Sequence, residues 1–318
     1  MSEYRKLLEL TKKYEKIAVF RHTHPDGDAA GSQLGYKCWV QANFPEKDVR
    51  ALGQETYDIY PYVDQAEDSF LEGALAVILD TSNAARVDDK RFAQAAEVIR
   101  IDHHPVVEHF EDHLICEPER PSVCELLADI LTEGEYAEYP LTPESAAYLY
   151  SGMLTDTLNL STPGCNGRTM RAAARLADTG IDLSALSVRM FDVPYSEFDL
   201  RTRLRTLIKY QDGLCFLRLE KDQLQEMGIT SNDAKNMIAE FGSVREFKIW
   251  AVVADNGKGG LYDGSLRSKD GYLVNGIASR HHGGGHDQAA GIKDLTAEEV
   301  LLLKEELLAE IKRVESAL

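Results

Sequence analysis

The sequence predicts an α/β protein: a mostly parallel sheet with helices on both faces, followed by a second, smaller α/β domain. Three observations predict it. Short apolar runs at residues 17–20, 75–79 and 97–101 alternate with longer amphipathic stretches, which is the strand and helix alternation of a parallel sheet. Each of the three runs ends on an acidic or imidazole-bearing turn, as strands do when their carboxyl ends line one functional edge. After residue 213 the pattern changes to a new set of strands and short helices, and 318 residues suffice for two cores.

The elements follow in order. Residues 4–14 read as a helix, which the charged start Met1-Ser2-Glu3-Tyr4-Arg5-Lys6 opens in place of a signal peptide. Residues 16–21 are the first strand. Residues 29–43 form the next helix, beginning with small residues that permit close approach. Strands at 48–52, 75–79 and 97–101 come next. Helices are expected at 122–132 and at 142–155, the latter opened by Thr142-Pro143-Glu144, a cap followed by proline in the first turn. Residues 168–179, 183–191 and 196–210 continue as helices. The domain reading is 1–195 for the first domain, 196–212 for a linker helix and 213–318 for the second domain. In the latter we expect strands at 214–219, 247–254 and 261–267, short helices at 222–227, 231–241 and 274–281, a glycine cluster, and a final helix at 296–317.

Composition narrows the function. The formal charge of −18 disfavours a protein that tracks along duplex nucleic acid, because such binding rests on many Lys and Arg contacts to phosphate. Five cysteines (Cys38, Cys116, Cys124, Cys165, Cys215) form no Cys-x-x-Cys pair and read as reduced core residues. There is no run of apolar residues of membrane-spanning length. The expectation is a soluble, cytoplasmic protein with no membrane partner, and a homodimer is left open.

The stretch His22-Thr23-His24-Pro25-Asp26-Gly27-Asp28 places two carboxylates and two imidazoles in a sharp turn after the first strand. Asp80-Thr81-Ser82-Asn83 follows the second apolar run, and Asp102-His103-His104-Pro105 the third. Asp156 ends the helix that runs into Thr155-Asp156-Thr157. Converging carboxylates repel or desolvate one another unless a cation neutralises them, and mixed carboxylate and imidazole donors suit Mn²⁺, Zn²⁺ or Fe²⁺. The plainer alternative is a polar turn whose Asp caps the following helix.

These motifs, His22-x-x-Pro-Asp26-x-Asp28, Leu79-Asp80-Thr-Ser-Asn, Asp102-His103-His104 and Thr155-Asp156-Thr157, resemble the successive motifs of the DHH phosphoesterase superfamily in order and spacing. Ser265-Leu-Arg267-Ser268 and Gly283-Gly284-Gly285-His286-x-x-Ala289-Ala290-Gly291 resemble its DHHA1 substrate-binding domain. Within the superfamily, chain length and the Gly-Gly-Gly-His ending are most similar to bacterial bifunctional oligoribonucleases and adenosine 3′,5′-bisphosphate phosphatases of the nanoRNase type. The resemblance implies two divalent metal ions, Mn²⁺ foremost. It implies that Asp80 bridges them, with His22 and Asp26 completing one site and Asp28, His103 and Asp156 the other.

Phosphodiester hydrolysis needs an activated water, neutralised non-bridging oxygens and a stabilised leaving oxygen, and a pair of metals can serve all three needs. His22, Asp26, Asp28, Asp80, His103 and Asp156 supply the ligand count of a dinuclear site. Asp102 is expected to accept a ring N–H from a metal-ligating imidazole and so fix its tautomer, and His104 to contact the scissile phosphate and protonate the leaving group, in agreement with the family. His24 reads as turn structure, and His109 and His113 as surface residues. In the second domain Ser265, Arg267, Ser268, Gly284, Gly285 and His286 are expected to bind substrate, with the glycine triplet exposing backbone N–H groups and Arg267 a bidentate fork. The expected function is Mn-dependent hydrolysis of short oligoribonucleotides, and of adenosine 3′,5′-bisphosphate to AMP, in a cleft between the domains. The alternatives are a linear or cyclic dinucleotide phosphodiesterase and a non-catalytic nucleotide-binding protein of the same fold.

Overall fold

The computed structural model describes residues 3–269 and 271–317; Met1 and Ser2 of the charged start, Asp270, and Leu318 at the end of the second domain lie outside the described residues. The chain divides into two compact units, Met1–Asp192 and Val193–Leu318.

The first unit is built on five strands: β1 (Lys16–Phe20), β2 (Asp48–Ala51), β3 (Leu75–Leu79), β4 (Glu97–Asp102) and β5 (His113–Cys116). They lie in the order β2-β1-β3-β4-β5 and every neighbouring pair is parallel. All five residues of β3 are buried, which is why its sequence is apolar without alternation. The two faces are covered unequally. Ile17, Val19, Leu75, Val77, Leu79, Ile99, Ile101 and Ile115 join a core with the long helices Glu3–Lys13, Gly27–Asn43, Val123–Ile130 and Pro143–Asp156. On the other face Ala18, Phe20, Ala76, Ile78 and Val98 pack against Phe70, Leu71, Val87 and Phe92, which lie in and between the short helical turns Asp68–Leu71 and Lys90–Gln94.

Close helix packing shapes this unit. A Cβ on Gly31 would stand 2.5 Å from the Tyr148 carbonyl, and one on Gly152 would run into the Cys124 sulfur and the Gly27 carbonyl. The backbones of helices Gly27–Asn43 and Pro143–Asp156 therefore touch, as the small residues at the start of the former allow. That contact brings Asp28, in the first turn of one helix, towards Asp156, the last residue of the other.

The second unit holds β6 (Lys209–Gln211), β7 (Leu214–Leu219), β8 (Ile249–Asp255), β9 (Tyr262–Ser268), β10 (Gly284–His286) and β11 (Ala289–Leu295), in the order β10-β11-β9-β8-β7-β6. Only β7 and β8 pair in parallel. Helix Ala297–Glu315 covers one face through Leu303, Leu307 and Ile311. Leu204, Leu224, Ile238 and Phe241 cover Cys215, Leu217, Trp250 and Val252 on the other. Residues 196–212, expected as a linker, lie in this unit: helix Tyr195–Leu207 contributes Leu204 to its core, and β6 pairs with β7. Among the described residues no helix is long and apolar enough to cross a membrane.

Candidate functional site

In an open parallel sheet, ligands gather beyond the carboxyl ends of the strands, where the strand order reverses. Here that point lies between β1 and β3. His22 leaves β1 and donates its Nδ1–H to the Thr23 carbonyl at 2.8 Å, which fixes the tautomer and turns the Nε2 lone pair inward. Asp26 caps helix Gly27–Asn43, its Oδ1 accepting the N–H groups of Asp28 and Ala29 at 3.1 and 3.0 Å. Its other oxygen faces His22 Nε2 at 3.7 Å. The cap and the site are thus two uses of one carboxylate.

Asp80 follows β3 with φ +53°, a left-handed backbone that costs free energy in any residue but glycine and re-aims the carboxylate as the chain leaves the sheet. Its Oδ2 lies 3.3 Å from His22 Nε2, and its Oδ1 lies 3.5 Å from His103 Nε2. His103 donates Nδ1–H to the Arg120 carbonyl at 3.0 Å, so its Nε2 also presents a lone pair, 3.5 Å from Asp156 Oδ2. Asp28 is wholly buried, and its two oxygens accept the N–H groups of Val123 and Cys124 at 2.7 and 2.9 Å. These donors open helix Val123–Ile130, whose positive end favours a carboxylate. The backbone partners at Arg120, Val123 and Cys124 were not read from the sequence. The Pro121-Ser122 helix start was the available signal, since every helix start exposes unpaired N–H groups.

Three groups of donor atoms result, each within 4.8 Å of one another: His22, Asp26 and Asp80; Asp28, His103 and Asp156; and Asp80, His103 and His104. Asp80 Oδ1 and His103 Nε2 are buried without a hydrogen-bond partner. Orphaned buried atoms of this kind are costly in a native protein unless something else satisfies them. A divalent cation accepting both lone pairs fits, and the nitrogen and oxygen set suits a transition metal better than Mg²⁺ or Ca²⁺.

The electrostatics point the same way. Burial, then the charge of Asp80, pushes the Asp28 carboxyl up to about 7. Burial, then Asp28 and Asp80, pushes Asp156 up to about 9. Burial works against ionisation of Asp80 as well, but the facing imidazoles of His103 and His22 win and hold it well below the usual carboxylate range. Burial likewise opposes the charge on His103, yet Asp80 and Asp28 carry it up to about 10. With no cation present, protons shared among these groups do the neutralising. That is the role a metal takes over when it displaces them.

The ring N–H that Asp102 accepts is not that of the ligating His103, which is spent on the Arg120 carbonyl, but that of His104: Asp102 Oδ1 takes the N–H groups of the His103 and His104 backbones at 2.8 and 3.1 Å, and His104 Nδ1–H at 2.9 Å. With Nδ1 so engaged, His104 Nε2 is the free edge of a ring whose side chain is 40 % exposed. The same Nδ1 lies 3.5 Å from Asp80 Oδ1, so His104 stands beside the carboxylate cluster without being buried in it. His24, at φ +54°, turns outward and pairs with Glu55. His109 is exposed, whereas His113, expected on the surface, lies in β5 and meets Glu97 Oε1 at 2.8 Å.

In the second unit, Ser265 and Arg267 share the β9 face that Trp250 and Val252 occupy on β8, and both are partly exposed. Arg267 donates Nη1–H to its neighbour's carbonyl, Leu266, at 2.9 Å. Ser268 does not join them. Successive strand residues point to opposite faces, and the buried Ser268 hydroxyl is donated to the Tyr272 carbonyl at 2.6 Å. The glycine cluster is a strand instead of an open loop: Gly284, Gly285 and His286 form exposed β10, paired antiparallel with Gly291, Ala290 and Ala289. A Cβ on Gly283 would run into the Gly291 carbonyl, so close strand approach accounts for glycine there. β10 is the edge of the sheet, and an edge strand carries backbone groups that no further strand pairs.

Comparison with known proteins agrees with both halves. Residues 16–153 match the DHH family, N-terminal domain, and residues 214–314 match the DHHA1 domain. The chain is 29 % identical over 317 residues to a probable bifunctional oligoribonuclease and PAP phosphatase NrnA of Streptococcus mutans, covering 99 % of each. It is 26 % identical to the bifunctional oligoribonuclease and PAP phosphatase NrnA of Bacillus subtilis over 291 residues, 90 % of this chain and 91 % of that one. Its fold resembles the crystal structure of an exopolyphosphatase-related protein from Bacteroides fragilis, with a TM-score of 0.80, 22 % identity and coverage of 98 % and 97 %.

Proposed function

The chain belongs to the DHH family and carries the DHHA1 domain, and from that premise we propose a manganese-dependent enzyme that hydrolyses short oligoribonucleotides to mononucleotides, and adenosine 3′,5′-bisphosphate to AMP, in the cytoplasm. It is a phosphoester hydrolase. The observation that carries the reading is the pair of buried atoms without a hydrogen-bond partner, Asp80 Oδ1 and His103 Nε2, flanked by Asp28, Asp156, His22 and Asp26. Those six side chains would hold two divalent ions, with Asp80 common to both.

Bound there, such ions supply positive charge beside the phosphoryl oxygens and lower the pKa of water. The remaining work falls to the protein. Asp102 holds the His104 Nδ1 proton at 2.9 Å, so the ring keeps one orientation and, in its doubly protonated form, gives its Nε2 proton to the leaving oxygen. The Thr23 and Arg120 carbonyls keep His22 and His103 in the tautomers that face inward. Ser265, Arg267 and the edge strand with Gly284, Gly285 and His286 bind a substrate phosphate. The two NrnA relatives, named for oligoribonuclease and PAP phosphatase activity over nearly their whole length, support this substrate class. The test is release of mononucleotide from a diribonucleotide with Mn²⁺, abolished by EDTA and restored by added metal. Binding of the dinucleotide without turnover under those conditions would instead indicate a nucleotide-binding protein.

A further inference from the structure

β4 delivers Asp102 to the site, and two residues earlier it carries a fully buried arginine. Arg100 lies on the sheet face that holds Ala76, Ile78 and Val98, opposite Ile78 in the register, with its guanidinium 4.9 Å from the centre of the Phe110 ring. An apolar residue would fill this place at lower cost, since a buried ion pair gains little over well-packed hydrocarbon of similar volume. What the guanidinium does is therefore informative.

It reaches three segments at once. Nη1 donates to the Ser82 carbonyl at 2.8 Å and to the Thr81 carbonyl at 3.3 Å, in the turn that follows Asp80. Nη2 donates to the Glu108 carbonyl at 3.1 Å and to Glu111 Oε1 at 3.3 Å, in the loop that follows His104. Nη1 also lies 3.8 Å from Asp102 Oδ2, the oxygen left over when Oδ1 takes its three N–H groups. Glu111, its side chain 2 % exposed, also places Oε2 3.3 Å from Nε of the same guanidinium, an ion-pair contact without a hydrogen bond. The two loops are tied a second time by the Ala84 N–H, donated to Glu108 Oε2 at 3.1 Å.

We propose that Arg100 is a positioning residue. It ties the His104 loop to the Thr81 and Ser82 carbonyls and supplies the counter-charge that keeps Asp102 in place to orient His104. This rests on the assignment of His104 to the leaving group. A planar five-donor fork is needed for such a clasp; a lysine keeps the charge but serves one direction at a time.

The test is a double-mutant cycle of Arg100→Lys and His104→Ala on pApA with Mn²⁺, together with ¹⁵N NMR of the His104 ring. Arg100→Lys should lower kcat about 10- to 100-fold, as loss of an orienting partner does, with KM and bound manganese unchanged. In the His104→Ala background the same change should cost almost nothing further, because the residue it positions is gone. Equal factors in the two backgrounds, or an undiminished kcat, overturn the proposal. Should Arg100→Lys not fold, Glu111→Gln, which frees the guanidinium at its other end, should show the same coupling to His104 in weaker form. The NMR arm does not need turnover. In its neutral form the His104 ring should show a single Nδ1–H tautomer in the wild type and a mixture in the variant, and an unchanged spectrum counts against the clasp even if pApA proves not to be a substrate.

Discussion

Charged groups are handled in opposite ways by the two units. At the carboxyl edge of the first sheet, Asp28, Asp80 and Asp102 are at most 2 % exposed, and each is held by backbone geometry or hydrogen bonds. On the second sheet, Arg267 is partly exposed and bonded to its neighbour's carbonyl, and His286 lies exposed on an edge strand. The first arrangement is costly to fold and rigid, as groups that act on a transition state must be. The second leaves side chains free to settle on a ligand. The difference teaches a division of labour: changes in the first unit should strike kcat and metal content, and changes in the second should strike KM.

The largest effect should come from Asp80→Asn. Asp80 alone belongs both to the His22 and Asp26 group and to a group with His103, so the variant should lose turnover entirely and weaken both metal sites. Metal analysis of the purified variant decides it. Retention of one tightly bound ion would show that the carboxylate serves a single site.

His104→Ala should come next, lowering kcat by roughly 10² to 10⁴ with metal content kept. The ring is held by Asp102 at 2.9 Å and stands at the rim of the cluster. If metal is lost together with rate, His104 is a ligand, in line with its place beside Asp80 and His103.

A third prediction concerns the apo protein. Asp28 and Asp156 are raised to about 7 and 9, and His103 to about 10. In the folded state all three keep protons that the unfolded chain releases earlier, so stability falls as pH rises from about 4 through 10. Asp80, held low, contributes stability above its unfolded value near 4 and loses it only in acid. The metal-free protein should therefore melt at lower temperature at pH 8.5 than at pH 6, by about 2–4 °C for each kcal/mol lost. Mn²⁺ should raise the melting temperature more at the higher pH, because it competes with fewer protons. Scanning calorimetry at the two pH values, with and without Mn²⁺, checks both. A flat apo profile would mean that the cluster is neutralised by something other than protons.

Much of this contrast was legible in the sequence. Strand Leu75–Leu79 matches the expected bounds because five consecutive apolar residues leave little else, and the metal-type residues stand at strand ends where Asp, His and Gly interrupt the pattern. The strands that escaped detection are short edge strands or poor in β-formers. His113–Cys116 has four residues at the edge of the first sheet, Lys209–Gln211 has three exposed residues, Gly284–His286 is mostly glycine, and Ala289–Leu295 opens with Ala-Ala-Gly. Their pairing is set by neighbours distant in sequence, which local propensity does not register. The motif Ser265-Leu-Arg267-Ser268 sets Ser268 beside Arg267. Adjacent positions in a motif suggest a shared role, but once the segment is a strand they face opposite sides. The support given to His103 by the Arg120 carbonyl was invisible because a backbone acceptor has no residue type to recognise.

The smallest effect should come from the second unit, and it tests the comparison most directly. Arg267 is the one arginine on the partly exposed β9 face beside Ser265, and its fork suits a terminal phosphate. A lost charge-assisted hydrogen bond of about 1.5 kcal/mol corresponds to about a tenfold change. Arg267→Ala should therefore raise KM about tenfold, lower kcat less, and erase any preference for a substrate with a terminal phosphate, because the contact is made equally in ground and transition states. Length follows from the same binding. One terminal phosphate is captured, while each further phosphate meets the field of a chain with a formal charge of −18, which salt screens only in part. The wild type should then show its highest kcat/KM on substrates of about two to five nucleotides, with a decline beyond. Ser268→Ala is the internal control: its hydroxyl is spent on Tyr272, so KM should not move. A rise in KM for Ser268→Ala equal to that of Arg267→Ala would mean that the second sheet is as rigidly organised as the first. Equal rates on a dinucleotide and a strand of about 24 nucleotides would remove the electrostatic basis of the length preference.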